Sequence, residues 1–363
     1  MKTKTSSYRL QYIDWVRGLG AVIMLQGHVF DSFLKNDLRG GGPYVLSQFV
    51  GGMPPAIFLF LTGMTLAFLM DSTEKKGMQP SDRVKTAFRR SGYLFFLAFA
   101  FRLQLWIFGL PAPWTDLFRV DILNCMGFAI AALSAMAAFR TIERVRLCGV
   151  LGLAIALASP LVTQMNWSGA PWLVRAYIIP DFRSFGFFPW GAYLAFGVSA
   201  GSIIRIVPQE ATERVMQWAA LLGGGLILAC HYFANQPYTV YAKSDFWLNS
   251  PAQVLTKLGV ILLMLAFAFV WTRYGAKEGW SWVRQFGTTS LLVYWVHIEL
   301  VYGRGLWFLK GNLTELQTAF AAVLIILLML ALSTAKTYRN RIAVVLADYG
   351  WTFGPRPNRV PGD

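Results

Sequence analysis

The sequence predicts an all-α fold: a polytopic membrane helix bundle of about ten transmembrane helices, with N- and C-termini in the cytoplasm. Three observations predict it. Apolar residues make up 56 % of the 363-residue chain and charged residues only 14 %, against about 25 % charged in an ordinary soluble protein. Mean hydropathy is +0.47. The apolar residues gather in runs near the ~20 residues that cross a bilayer. Aromatic residues reach 15 %, which excludes disordered, collagen-like and coiled-coil chains.

The ten runs cover residues 13–33, 48–70, 87–109, 120–139, 147–163, 184–204, 215–233, 252–272, 285–301 and 316–335. The fifth is short, and Pro160 is expected to kink or end it. No linker or repeat divides the chain. One domain over 1–363 is expected, with a core at about 10–336 and a cytoplasmic tail at 337–363. The first run holds Asp14, Arg17, His28 and Asp31, and no small-residue cleavage site follows, so it is not a signal peptide. The loops at 165–182 and 234–251 mix Trp, Tyr and Pro with few charges, as segments lying on a membrane surface do.

Net charge is +15. With the N-terminus in the cytoplasm, 22 of the 33 Lys and Arg residues fall on the cytoplasmic side and 8 on the outer side. The remaining three, Arg17, Arg102 and Lys257, lie inside runs. This asymmetry sets membrane orientation and makes nucleic acid an unneeded partner. Cys125, Cys148 and Cys230 sit in apolar runs without a CxxC, so neither a disulfide framework nor a metal site is expected. No GxxxxGK[ST], GxSxG or HExxH occurs, which removes the P-loop, common hydrolase and zinc-protease readings.

Ionisable groups inside a span cost roughly 2.5–3.5 kcal/mol each by insertion scales and need a reason to persist. Asp14, Arg17, His28 and Asp31 recur at helical spacing and project on about one face. Arg17 and His28 are about 16 Å apart along the axis, at about 1.5 Å per residue. Arg17 suits a phosphate, through charge-assisted bonds, or snorkels to the interface beside Asp14. His28 suits a general base with Asp31 one turn on to orient it, or caps a packed polar contact. Gly18, Gly20 and Gly27 leave room for close backbone approach or for a ligand. A long donor entering from the cytoplasm, its reactive end at His28, fits the stripe.

The Arg17-(ten residues)-His28 spacing and the surrounding Tyr12-Ile-Asp-Trp-Val-Arg-Gly18 resemble the opening of the membrane acyltransferase superfamily. That superfamily includes acyltransferase family three and the heparan-alpha-glucosaminide N-acetyltransferase-like proteins. Three further stretches are most similar to the latter branch: Asp121-Ile-Leu-Asn-Cys-Met-Gly127; Phe188-Pro-Trp-Gly-Ala-Tyr193 with Gly197 and Gly201; and Ser290-Leu-Leu-Val-Tyr-Trp-Val-His-Ile298. Arg89-Arg90 stands where family three often has RxxR. The resemblance implies a bundle of ten or eleven helices. It also implies an enzyme that takes an acyl group, usually acetyl, from cytoplasmic acyl-coenzyme A. The acceptor it implies is a sugar hydroxyl or amine at or beyond the outer face.

Other polar residues complete the candidate site. His297 lies about 18 Å from Gln285 if the ninth run is one straight helix, a level similar to His28. The two histidines either flank a reaction centre, with His297 binding the acceptor or acyl oxygen and Tyr294 beside it, or form an interhelical hydrogen bond. Arg102 and Asp121, with Asn124, suit a structural ion pair or a second shell to the acceptor. Lys257 is expected to pair with a loop acid such as Asp245 or to snorkel, and His231 to be interfacial. Arg89, Arg90 and Arg284 join Arg17 as candidates for the donor phosphates. The expected function is acyl-CoA-dependent O- or N-acylation of a sugar-like acceptor, with His28 as base and either direct transfer or an acyl-histidine. The donor is acyl-CoA, in the first place acetyl-CoA, with no metal. The expected partners are a sugar or glycan-like acceptor and membrane lipid, not nucleic acid; a homo-oligomer is compatible. The expected location is a bacterial inner (plasma) membrane. The alternative is a secondary transporter of a small anion or sugar, with the buried Arg, Asp and His as relay.

Overall fold

The computed structural model describes residues 10–182, 184–238, 240–275 and 279–348, with side chains as far as Arg339. In chain order its helices are α1 (Gln11–Phe33), α2 (Gly42–Gly51), α3 (Pro54–Lys75), α4 (Pro80–Phe108), α5 (Ile122–Leu133), α6 (Thr141–Gln164), α7 (Trp172–Ile178), α8 (Phe187–Ile206), α9 (Thr212–Ala234), α10 (Pro251–Val270), α11 (Trp282–Thr288), α12 (Ser290–Tyr302) and α13 (Glu315–Asp348). Among the described residues there is no β-sheet, only two isolated bridges. Each expected run coincides with helix. Seven helical stretches are long and apolar enough to cross a membrane, and Ile122–Ala138 and Ser290–Tyr302 are shorter apolar helices. Phe96, Val150 and Leu228 are 69–73 % exposed, which suits side chains meeting hydrocarbon rather than water.

Several boundaries depart from the expected runs, each for a local reason. The second run crosses a break, because Pro54 and Pro55 open a new helix at positions that need no amide donor. Helix α4 starts at Pro80, seven residues before its run, because its first two turns carry Asp82, Arg83 and Lys85 and are invisible to hydropathy. Pro160 neither ends nor bounds α6, which runs from Thr141 to Gln164 around it. Helix α13 continues to Asp348, into the stretch expected as a tail; residues beyond it, and Lys2, Lys4 and Arg9, lie outside the described residues.

The chain divides into two compact units. The first comprises residues 1–16 and 52–277. Its centre is the packing of α3 on α8. A Cβ on Gly197 would lie 2.8 Å from the carbonyl carbon of Phe60, and one on Gly201 would lie 2.7 Å from the Cα of Met64, so these backbones meet as only small residues permit. At one end of α3, Gly77 takes φ +70°, and the Gly77 and Met78 amides donate to the carbonyls of Glu74 and Thr73. This Schellman closure ends α3 just after its two acids.

Those acids anchor an ionic cluster in which Asp71, Arg83 and Arg144 are buried. Glu74 accepts from Arg144 at 3.0 Å and from the Thr141 hydroxyl at 2.8 Å, and lies 3.6 Å from Arg83. Asp71 pairs with Arg205 at 2.6 Å and Lys75 at 3.0 Å. Arg144 is fully buried and also donates to the Phe139 carbonyl. Lys257 does not pair with Asp245: its ammonium donates to the Gly52 carbonyl at 3.0 Å and lies over the Trp190 ring. Asp245 instead accepts the Trp247 and Leu248 amides and shapes its own loop. That loop is tied to α6 by Asn249 donating to Thr163 and Tyr241 donating to the Leu157 carbonyl.

The second unit comprises residues 17–51 and 278–363. Its described helices are α1 from Arg17 on, α2, α11, α12 and α13. A Cβ on Gly18 would fall inside the Val283 carbonyl, and one on Gly27 would lie 3.1 Å from the Cα of Gly51. Of the two uses foreseen for Gly18 and Gly27, close backbone approach is the realised one. The far end of α1 is zipped to the loop before α13: Gly311 donates to Ser32, Leu313 to Phe33 and Lys35 to Leu313.

Candidate active site

The ninth run is two helices, and the break positions His297. The Gln285 carbonyl accepts from the hydroxyls of Thr288, Thr289 and Ser333. The Thr289 amide turns to the Phe286 carbonyl instead. Side-chain hydroxyls competing for a helix carbonyl loosen the ladder, and Thr289 leaves helical geometry at φ −121°, ψ 20°. The amide of Gln285 donates to the Ser333 carbonyl at 2.9 Å and to Thr337 at 2.6 Å. Buried interhelical polar bonds of this kind fix α11 and α12 against α13. The straight-helix depth of His297 therefore does not apply.

The expected meeting of the two histidines nevertheless occurs. His28 Nδ1 and His297 Nε2 are 2.8 Å apart, and the rings meet edge to edge, with centroids 5.1 Å apart and 14° between planes. His297 is completely buried, and its Nδ1 lies 2.8 Å from the Val293 carbonyl one turn back on α12. Both of its ring nitrogens are therefore engaged. The Tyr294 ring meets His297 at 5.9 Å, and the Tyr302 ring meets His28 edge-on at 5.4 Å.

Asp31 lies one turn beyond His28 and is held by groups the sequence did not single out. Its carboxylate accepts from Tyr302 at 2.8 Å and from Tyr44 at 3.4 Å. Its carbonyl accepts from Arg39 at 2.6 Å. Asp31 thus reaches the His28 neighbourhood by way of Tyr302, whose ring borders the imidazole. Ser32 donates to the Val301 carbonyl and joins α1 to α12 beside the pair. Outside the helix, burial holds the Lys310 ammonium below its ordinary pKa, with Glu299 opposing; its head donates to the Tyr302 carbonyl.

Arg17 is half-buried on the same helix, three residues from the buried Asp14. Arg284 donates to the Gly279 carbonyl at the start of α11. The remaining candidates belong to the first unit. Arg102 pairs with Asp121 at 3.2 Å. Asp121 caps α5, accepting the Leu123 and Asn124 amides, while Asn124 closes the capping box and donates to the Tyr177 hydroxyl. These bonds make a helix cap locked by an ion pair. Burial pushes the Tyr177 phenol up in pKa, against the Asn124 amide that donates to it. Arg89 is exposed on α4, and Arg90 lines a pocket of about 240 Å³ with Thr62, Thr65, Leu66, Leu69 and Ile130. A guanidinium beside two hydroxyls is chemistry that suits a phosphate. Among the described residues, no three or more His, Cys, Asp or Glu side chains cluster so as to hold a metal ion.

The chain is a helical multi-pass protein in which two imidazoles in contact, a carboxylate and two tyrosines come together within one unit. The chain belongs to the heparan-alpha-glucosaminide N-acetyltransferase family: the model of that family's catalytic domain matches residues 9–237. It is a membrane protein of an acetyltransferase family. The matched segment contains Arg17, His28 and Asp31 and stops before His297. No curated protein matches the chain.

Proposed function

We propose that the protein transfers an acetyl group from cytoplasmic acetyl-coenzyme A to an amine or hydroxyl of a sugar-like acceptor at the outer side of a bacterial inner membrane. The whole chain acts as one catalytic domain with both termini in the cytoplasm. The family's own substrate, an amino sugar of a glycan, supports the acceptor class. The observation that carries the reading is the contact of His28 Nδ1 with His297 Nε2 at 2.8 Å, one turn from Asp31.

In this reading His28 is the general base. As the acceptor atom bonds to the thioester carbonyl carbon, His28 takes the proton the acceptor gives up. The carbon–sulfur bond breaks, and the imidazolium returns that proton to the departing sulfur. The negative charge of Asp31 favours the transient imidazolium. Arg17 and Arg284, in the unit that holds His28, supply cations for the donor phosphates.

Purified protein given acetyl-CoA and a panel of amino sugars is expected to release free thiol only when an acceptor is present. His28→Ala is expected to lower that rate by about 10²–10⁴-fold, the usual contribution of a positioned base. Thiol release that survives His28→Ala, or solute flux into liposomes without any donor, overturns the reading.

A further inference from the structure

We infer that His297 is a positioning residue that fixes the tautomer of His28, with the Val293 carbonyl as the origin of the order. This rests on His28 as the base and adds what makes it one. A carbonyl oxygen only accepts hydrogen bonds. His297 Nδ1, at 2.8 Å from the Val293 oxygen, is therefore the nitrogen that carries hydrogen. A fully buried imidazole is least costly when neutral, so His297 Nε2 is the bare nitrogen and accepts. Its partner at 2.8 Å is His28 Nδ1, which must then donate. A neutral His28 that donates through Nδ1 has its lone pair at Nε2. The relay thus runs from a backbone carbonyl through one ring to the next, and ends at a single bare nitrogen.

The same geometry removes His297 from direct contact with the acyl oxygen or the acceptor, since both its nitrogens are used. It also explains why its burial is complete while that of His28 is partial. The carbonyl lies one turn back on α12, so the relay is as rigid as the helix that carries it.

The chain contains three histidines, so nitrogen NMR on histidine-labelled protein in micelles resolves the question. His28 is expected to show a protonated, pyrrole-like Nδ1 and a bare, pyridine-like Nε2. In His297→Leu that bias is expected to vanish and kcat to fall by about 10²–10³-fold with little change in KM for donor, since a wrongly held tautomer leaves binding intact. His297→Gln keeps an acceptor oxygen for His28 Nδ1. It is expected to restore the tautomer and bring kcat to within about tenfold of the native rate. A native His28 with hydrogen on Nε2 overturns the inference. So does a His297→Leu variant with native kcat, or a His297→Gln variant that folds and fails as badly as His297→Leu. If instead His28→Ala is active while the native tautomer is as stated, the base assignment fails and the relay stands.

Discussion

Replacing Arg144 by Met tests whether the ionic cluster around this buried guanidinium holds the first unit together. The substitution keeps most of the side-chain volume and removes the charge. Stripping one partner from a buried ion pair costs about 3–5 kcal/mol, because the other charge is left without compensation. Two features of the cluster lower that figure. Glu74 is 27 % exposed, and it keeps the Thr141 hydroxyl at 2.8 Å and Arg83 at 3.6 Å. Against this, the Phe139 carbonyl loses its donor, worth about 1 kcal/mol. The net expectation is about 2–4 kcal/mol, read from equilibrium unfolding in mixed micelles. Adding Glu74→Gln removes the stranded charge, so the double variant is expected to regain about 1–2 kcal/mol over Arg144→Met alone. Additive single costs, or an Arg144→Met variant as stable as native, refute the reasoning: Arg144 would then be a packing side chain whose charge is incidental.

Gly197→Leu places carbon 2.8 Å from the Phe60 carbonyl carbon and is expected to lower the thermal midpoint far more than Gly92→Leu, where an added Cβ meets nothing within 4 Å. Tyr302→Phe removes the 2.8 Å bond to Asp31, and kcat is expected to fall by about tenfold or more, as for a bond to a charged group; Tyr44→Phe, which loses a 3.4 Å contact, should fall less, and equal losses contradict the ranking. Gln285→Leu cuts the ties to Ser333 and Thr337 and is expected to cost about 1–2 kcal/mol in the same unfolding assay.

The helical architecture was legible because a bilayer demands long apolar runs, and each run left its trace. What hydropathy misses is charge that belongs inside a helix. The turn of α6 holding Glu143, Arg144 and Arg146 reads as a loop that sets orientation, yet Arg144 is among the largest fully buried side chains. Its partner Glu74 lies 70 residues away in sequence, and no local pattern links the two. The break at Thr289 is hidden for the opposite reason. Thr288, Thr289 and Gln285 are all compatible with a helix, and only Ser333 on α13, by competing for the Gln285 carbonyl, reveals why the ladder yields there.

The candidate site shows the same division between what one helix encodes and what packing adds. The stripe on α1 is local, so His28 and Asp31 could be read from spacing alone. The partner of His28 is 269 residues away, and its identity followed only from the similar depth that a straight ninth run gives His297. The tyrosines went unread because a Tyr near a helix end has an ordinary interfacial explanation; the signal that could have found Tyr302 is its place one helical turn plus one residue after His297 on α12. That placement has a consequence for chemistry. His297 and Tyr302 leave one short helix to meet His28 and Asp31, which leave another one turn apart. A shift of either helix along its axis would break the imidazole contact and the phenol–carboxylate bond together. Two bonds that must be satisfied in one register fix His28 far more tightly than either alone, and a base is useful only when held to that tolerance.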